Sequence, residues 1–190
     1  MPRCCSSFCE SGCPLAEDAR KTIMRPVQAW ARKNRIHFFL PFIQVGDRVL
    51  EVGSGEGWFR KAVEAAKPVD YLTLDIDAPA DIRGDVRDWR KFGLEPASFD
   101  VIVAFEIVEH TDCFEDCYEL LKPGGLMLIT TPMPYADWVL KILEALHLTQ
   151  QRTSPHDHLV YLENIPRFLR VAERNPFGLG QWAVFRKPPA

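Results

Sequence analysis

Residues 47–57 read Asp47-Arg48-Val49-Leu50-Glu51-Val52-Gly53-Ser54-Gly55-Glu56-Gly57, and residues 58–67 continue WFRKAVEAAK. The first six favour a short strand, the glycines break it, and the next ten have helical periodicity, so the unit reads strand, glycine loop, helix. A second apolar run, Tyr71-Leu72-Thr73-Leu74, stops at Asp75-Ile76-Asp77, and a third, Phe99 to Phe105, stops at Glu106. Asp112 to Leu121 reads as a helix, Pro123-Gly124-Gly125 as a turn, and Leu126 to Thr131 as a strand closed by Pro132. Apolar runs that alternate with helices and lack a period of two indicate an α/β fold, its mostly parallel sheet covered on both faces. Residues 167–177 (RFLRVAERNPF) and 181–187 (QWAVFRK), separated by Gly178-Leu179-Gly180, read as a closing antiparallel hairpin.

Upstream of the loop, Arg25 to Phe42 places Val27, Trp30, Ala31 and Phe38 near one stripe, with Arg32, Lys33 and Arg35 elsewhere. This is an amphipathic helix that Pro41 should end. Residues 1–20 are rich in Cys, Ser, Gly and Pro without periodicity and read as a weakly ordered tail. The 190 residues, 47% hydrophobic and 26% charged, suit one domain over residues 21–190. Its parts are a cap helix at 25–45, a ligand-binding core at 46–135, and an acceptor-side segment with the closing hairpin at 136–190. A net charge of -3 gives no bulk positive field, so no nucleic-acid partner is expected. The longest apolar stretches fall short of the ~20 residues a membrane span needs. The first residues lack an apolar signal segment, so the expected location is cytoplasmic, with the six cysteines as thiols.

In an open α/β sheet ligands bind beyond the carboxyl ends of the strands. The loop Gly53-Ser54-Gly55-Glu56-Gly57 lets a ligand approach the backbone closely, because three positions lack a Cβ. Asp75, at the end of the next strand, has the carboxylate that a ribose diol would donate to. A nucleoside is therefore the expected ligand. A dinucleotide fingerprint would require glycine where Trp58 stands, which disfavours NAD, and the loop has no G-K-[ST] ending for ATP hydrolysis.

These motifs, over roughly residues 46–135, resemble the class I S-adenosylmethionine-dependent methyltransferases, in particular the small type 11 group. VLEVGSGEG looks like the family's first motif, YLTLDID its second, GDVRDW its adenine motif, and FDVIVAFEIVEH and LKPGGLMLITTP its later ones. The resemblance implies a Rossmann-like, seven-stranded sheet with a final antiparallel strand, and S-adenosyl-L-methionine as cofactor. Carried over residue by residue, Glu51 stands at the strand tip, and Gly53, Ser54, Gly55 and Gly57 pass the ribose and the amino-acid end. Asp75 then binds the ribose with Ile76 beside it, Asp85 accepts from the adenine amino group, the Val86 N–H meets a ring nitrogen, and Glu106 lies under the methionine.

The implied reaction is methyl transfer to a small-molecule or lipid-like acceptor, the alternative being a non-catalytic S-adenosylmethionine-binding scaffold or partner subunit. If the acceptor must lose a proton, His110 and His156 are the candidate bases. Asp77, Asp81 and Asp88 read as solvated or capping carboxylates. Cys4, Cys5, Cys9 and Cys13 read as tail thiols, with no metal site assigned, and Cys113 and Cys117, four apart, as packing residues. Residues 36–40 (IHFFL) with the adjacent basic residues could contact a membrane surface peripherally, but the expected role is to cap the sheet. Acceptor identity, acceptor atom and oligomeric state are not encoded in any of these motifs.

Overall fold

The computed structural model describes residues 29–77, 79–134, 161–163 and 165–189. Helix α1 (29–39) passes into a 3-10 turn, Leu40–Phe42, where Pro41, which has no N–H to donate, ends the α-helical ladder. Then follow β1 (Arg48–Val52), α2 (Trp58–Ala66), β2 (Asp70–Asp75), β3 (Ile82–Arg83), a 3-10 segment Val86–Phe92, and β4 (Phe99–Phe105). The chain continues through α3 (Phe114–Leu120), β5 (Leu121–Pro132), β6 (Leu169–Arg174) and β7 (Gly180–Arg186). The seven strands form one sheet in the order β3-β2-β1-β4-β5-β7-β6. Strands β1 to β5 pair in parallel, whereas β7 is antiparallel to both β5 and β6, which is the closing hairpin read from the sequence.

Alternate strand residues feed two hydrophobic layers. Leu50, Val52, Leu74, Ile102, Ala104, Met127 and Ile129 face α3 and the Val86–Phe92 segment, where Cys113 and Cys117 are fully buried as packing residues. Val49, Tyr71, Val101, Val103, Phe105 and Leu128 face α1 and α2. On this side Phe105 is the hub, its ring 4.8 Å from Phe39 and 4.9 Å from Phe59. Each such buried aromatic contributes roughly 1.5–3 kcal/mol. The helix faces the sheet through Ile36, Phe39 and Ile43, while Trp30 is 51% exposed, so its inward stripe is displaced from the one the sequence suggested. Of residues 36–40, Phe39 is wholly buried, and Ile36, Phe38 and Leu40 pack partly buried against the same layer.

Two other boundaries differ from expectation. The Pro123-Gly124-Gly125 turn is an excursion within β5: Phe99 pairs with Leu121 but Val101 pairs with Leu126, and Gly124 takes φ +82°. The two-residue β3 was not expected, since Ile82-Arg83 has no apolar run to announce it. No helix among the described residues is long and apolar enough to cross a membrane.

Candidate functional site

The order of strands reverses between β1 and β4, and a cleft opens outside the carboxyl ends of strands at such a switch point. The glycine loop lies there. Gly53, Gly55 and Gly57 have φ of +73°, +51° and +65°, a region other residues enter only at a cost. They serve different ends. A Cβ on Gly53 would stand 2.0 Å from Ile107 Cδ1, so this glycine lets the segment after β4 pack against the loop. A Cβ on Gly55 or Gly57 would meet nothing within 4 Å, so those two keep open space beside the backbone. Ser54 between them is 4% exposed, and its hydroxyl is buried without a hydrogen-bond partner. An orphaned buried hydroxyl is uncommon and fits a ligand group that would satisfy it.

Asp75 shapes the loop. Its carboxylate accepts from the Gly55 N–H at 3.0 Å and from the Asp77 N–H at 3.0 Å, tying the ends of β1 and β2 together. Ile76 beside it is 57% exposed and offers an apolar surface at the strand end. Asp81 anchors this edge by accepting from Thr73 N–H (2.9 Å), Thr73 Oγ1 (2.8 Å) and Arg60 (2.7 Å), which is more than a solvated carboxylate would do. Asp88 pairs on the surface with Lys91. Asp85 caps the 3-10 segment: Arg87 donates to it from its backbone N–H (2.9 Å) and its guanidinium (2.5 Å), and those bonds hold its pKa below the usual value. Val86 is 2% exposed, which fixes the backbone at this point in the core.

Glu51 lies near the carboxyl end of β1. It is 3% exposed and accepts from the Tyr71 hydroxyl at 3.0 Å. Burial pushes its pKa up to about 7, and the nearby Asp75 charge adds to the rise while the Tyr71 bond opposes it.

At the tip of β4, Glu106 has φ +57°, a strained backbone for a residue with a side chain. Its carboxylate accepts from Arg35 at 2.5 Å and from Thr130 Oγ1 at 2.8 Å. Behind it, Glu109 is 1% exposed and accepts from Thr131 Oγ1 at 2.9 Å. Burial first, and the adjacent Glu106 charge second, push the Glu109 pKa up to about 8. Glu109 therefore keeps its proton to a higher pH than a free carboxyl would. Sequence reasoning found Glu106 but not Glu109 or Arg35. The available signal for Glu109 was a carboxylate next to the apolar pair Ile107-Val108.

Glu106 opens onto a cavity of about 400 Å³. Its walls come from α1 (Trp30, Asn34, Arg35), the end of β5 (Thr131, Pro132) and the hairpin (Arg174 to Trp182). Helix α1 is fastened over the cleft by Arg35–Glu106 and by Arg32–Glu56 at 2.7 Å, so two arginines of its basic face turn towards the site. Trp58 stacks on Phe105 with centroids 6.1 Å apart, filling the place a dinucleotide-binding glycine would leave open. His110, exposed, lies in the turn after β4, where its N–H donates to Ile107 O at 2.9 Å. His156 and the cysteines of residues 1–20 lie outside the described residues.

The methyltransferase domain family matches this chain over residues 24–174. A Mycolicibacterium smegmatis protein named "Probable S-adenosylmethionine-dependent methyltransferase" is 31% identical over 116 residues, 54% of this chain and 45% of the relative. A ubiquinone biosynthesis O-methyltransferase of Idiomarina loihiensis is 30% identical over 92 residues, 46% of this chain and 33% of the relative. The chain thus spans less than half the length of these curated relatives. Phosphoethanolamine N-methyltransferase 2 of Haemonchus contortus, solved with phosphomonomethylethanolamine and S-adenosylhomocysteine, shares the fold with a TM-score of 0.57 at 15% identity, over 83% of this chain and 53% of that one. With its glycine loop, acidic strand ends and reversed strand order, the chain belongs to the class I S-adenosylmethionine-dependent methyltransferases.

Proposed function

We propose that this chain transfers a methyl group from S-adenosyl-L-methionine to a small-molecule or lipid-like acceptor in the cytoplasm, holding the acceptor in the cavity beside Glu106. The observation that supports this reading is the cavity itself, which has largely apolar walls and takes in Glu106 at the tip of β4. In this reading Asp75 accepts from the ribose, the Ser54 hydroxyl and the loop N–H groups meet the amino-acid end, and the open side of Gly55 and Gly57 admits the nucleoside. Ile76 covers one face of the base, while Asp85 and the Val86 N–H meet its edge.

Bound there, the cofactor supplies a methyl group on a positively charged sulfur, which needs no further activation. The chain's task is positioning. Holding the acceptor in line, ~3 Å from the methyl, lowers the barrier by ~7–11 kcal/mol through orientation alone. An amine acceptor already deprotonated in solution needs no base. For a hydroxyl acceptor, Glu106, His110 or His156 takes the proton. Helix α1 and the hairpin wall exclude water from the acceptor.

The test combines thermal shift with labelled transfer. S-adenosylmethionine or S-adenosylhomocysteine at a hundredfold over its Kd should stabilise the fold by ~2.7 kcal/mol, and label from the methyl donor should appear in a component of a metabolite extract. Stabilisation without transfer to any extract would favour the non-catalytic scaffold. No stabilisation would refute the cofactor assignment.

A further inference from the structure

Resting on the acceptor cavity proposed above, we infer that the acceptor is an apolar molecule carrying one negatively charged group, which Arg174 at the end of β6 binds. The cavity is walled by the indoles of Trp30 and Trp182 and by Pro132, Pro176 and Leu179, surfaces that suit flat or aliphatic apolar bodies. Three charged side chains line it: Arg35, Glu106 and Arg174. Arg35 and Glu106 are joined at 2.5 Å and neutralise each other. Arg174 forms no ion pair among the described residues, and its guanidinium lies 5.6 Å from the Trp182 ring centre. The walls therefore carry one uncompensated positive charge, and a monoanion matches it. A second donor is also unsatisfied, since Arg35 Nε is buried without a partner.

The order of strands sets the end at which that group lies. Glu106 follows β4 and Arg174 ends β6, and β5 and β7 stand between them. The two side chains approach from opposite sides of the cavity: the Glu106 carboxylate accepts from Thr130 on β5, and the Arg174 guanidinium lies over Trp182 on β7. The methylated atom belongs at the Glu106 end, so the anionic group sits at the other end of the acceptor. A stacked guanidinium is already oriented and less strongly hydrated than an ammonium, which suits it to a carboxylate or a phosphate.

Carboxylate and phosphate are told apart by the probes: 4'-hydroxybiphenyl-4-carboxylate, its phosphonate analogue and its neutral methyl ester. Binding to the protein saturated with S-adenosylhomocysteine is measured by calorimetry. Both two-ring anions should bind at least tenfold tighter than the ester, and the stronger of the two identifies the group. Arg174→Gln should erase the preference for the anion, Arg174→Lys should retain part of it, and S-adenosylhomocysteine affinity should stay within twofold in both. An ester that binds as well as the acid, an undiminished preference in Arg174→Gln, or no binding of either two-ring anion would overturn the inference. Failure of the wild type to bind S-adenosylhomocysteine would instead overturn the proposed function.

Discussion

Replacing Glu51 by Gln should make the protein more stable above neutral pH and flatten its pH dependence. Glu51 is 3% exposed, and burial lifts its pKa from 4.5 to about 7. At ~1.4 kcal/mol per pH unit, that gap means the ionised side chain costs the folded state roughly 3 kcal/mol relative to the unfolded chain. Because the folded pKa is the higher one, the folded chain keeps a proton between pH 4.5 and about 7 that the unfolded chain has already lost. Stability therefore falls as pH rises through that window and levels off above it. Gln has the same length, never ionises, and can still accept from the Tyr71 hydroxyl now bonded to Glu51 at 3.0 Å. The Glu51→Gln variant should thus gain roughly 2–3 kcal/mol on wild type between pH 5 and pH 8. Glu109, with its own raised pKa, acts on both proteins alike and cancels in the comparison. Urea unfolding followed by tryptophan fluorescence at pH 5, 6, 7 and 8 measures the difference. Two parallel curves of stability against pH would show that Glu51 is ionised in the fold at no cost and would refute the reasoning.

Gly53→Ala should cost ~1–3 kcal/mol of stability, because its Cβ collides with Ile107, whereas Gly55→Ala should cost only ~1 kcal/mol, from its positive φ, yet lose cofactor binding; thermal melts with calorimetry separate the two. Asp75→Ala should weaken S-adenosylhomocysteine binding by ~1–3 kcal/mol, since the ribose acceptor and the Gly55 anchor go together; unchanged affinity by calorimetry would remove Asp75 from the site. Glu109→Gln removes an ionisation that burial holds back to about pH 8, so the loss of stability as pH rises towards that value should be smaller than in wild type; urea unfolding at pH 6 and pH 9 measures it, and equal losses would refute the buried-acid reading. Asp81→Ala should destabilise the fold by about 1–2 kcal/mol by unpairing the Thr73 N–H, and urea unfolding would detect it.

The sequence carried the parallel core because apolar runs ending at glycine or a carboxylate encode both a strand and its ligand-facing end. It carried the hairpin because glycines separate two extended runs, and it placed Asp75 at a strand end because the apolar run stops there. Other features depend on contacts between distant segments. Arg35 looked like part of a solvated basic face, since the phase of a helix against a sheet is set by its partner; only the fold places Glu106, 71 residues away, opposite it. Glu51 and Glu109 are carboxylates whose burial no periodicity announces: the first lies under the Tyr71 hydroxyl and the second behind Glu106. Strand β3 was missed because two residues are too few to show a pattern.

The two ion pairs that fasten α1 over the cleft bear on timing more than on affinity. Arg32–Glu56 is largely exposed and Arg35–Glu106 partly so, and pairs in such settings are worth at most about 1 kcal/mol each. Neither can hold the helix in one place for long. Their strength falls as salt shortens the screening length towards ~8 Å at physiological ionic strength and ~3 Å in molar salt. Raising ionic strength should therefore loosen the hold of α1 on Glu56 and Glu106 while leaving the buried Phe39 contacts alone, so amide exchange along the helix should quicken in salt and that of the central strands should not.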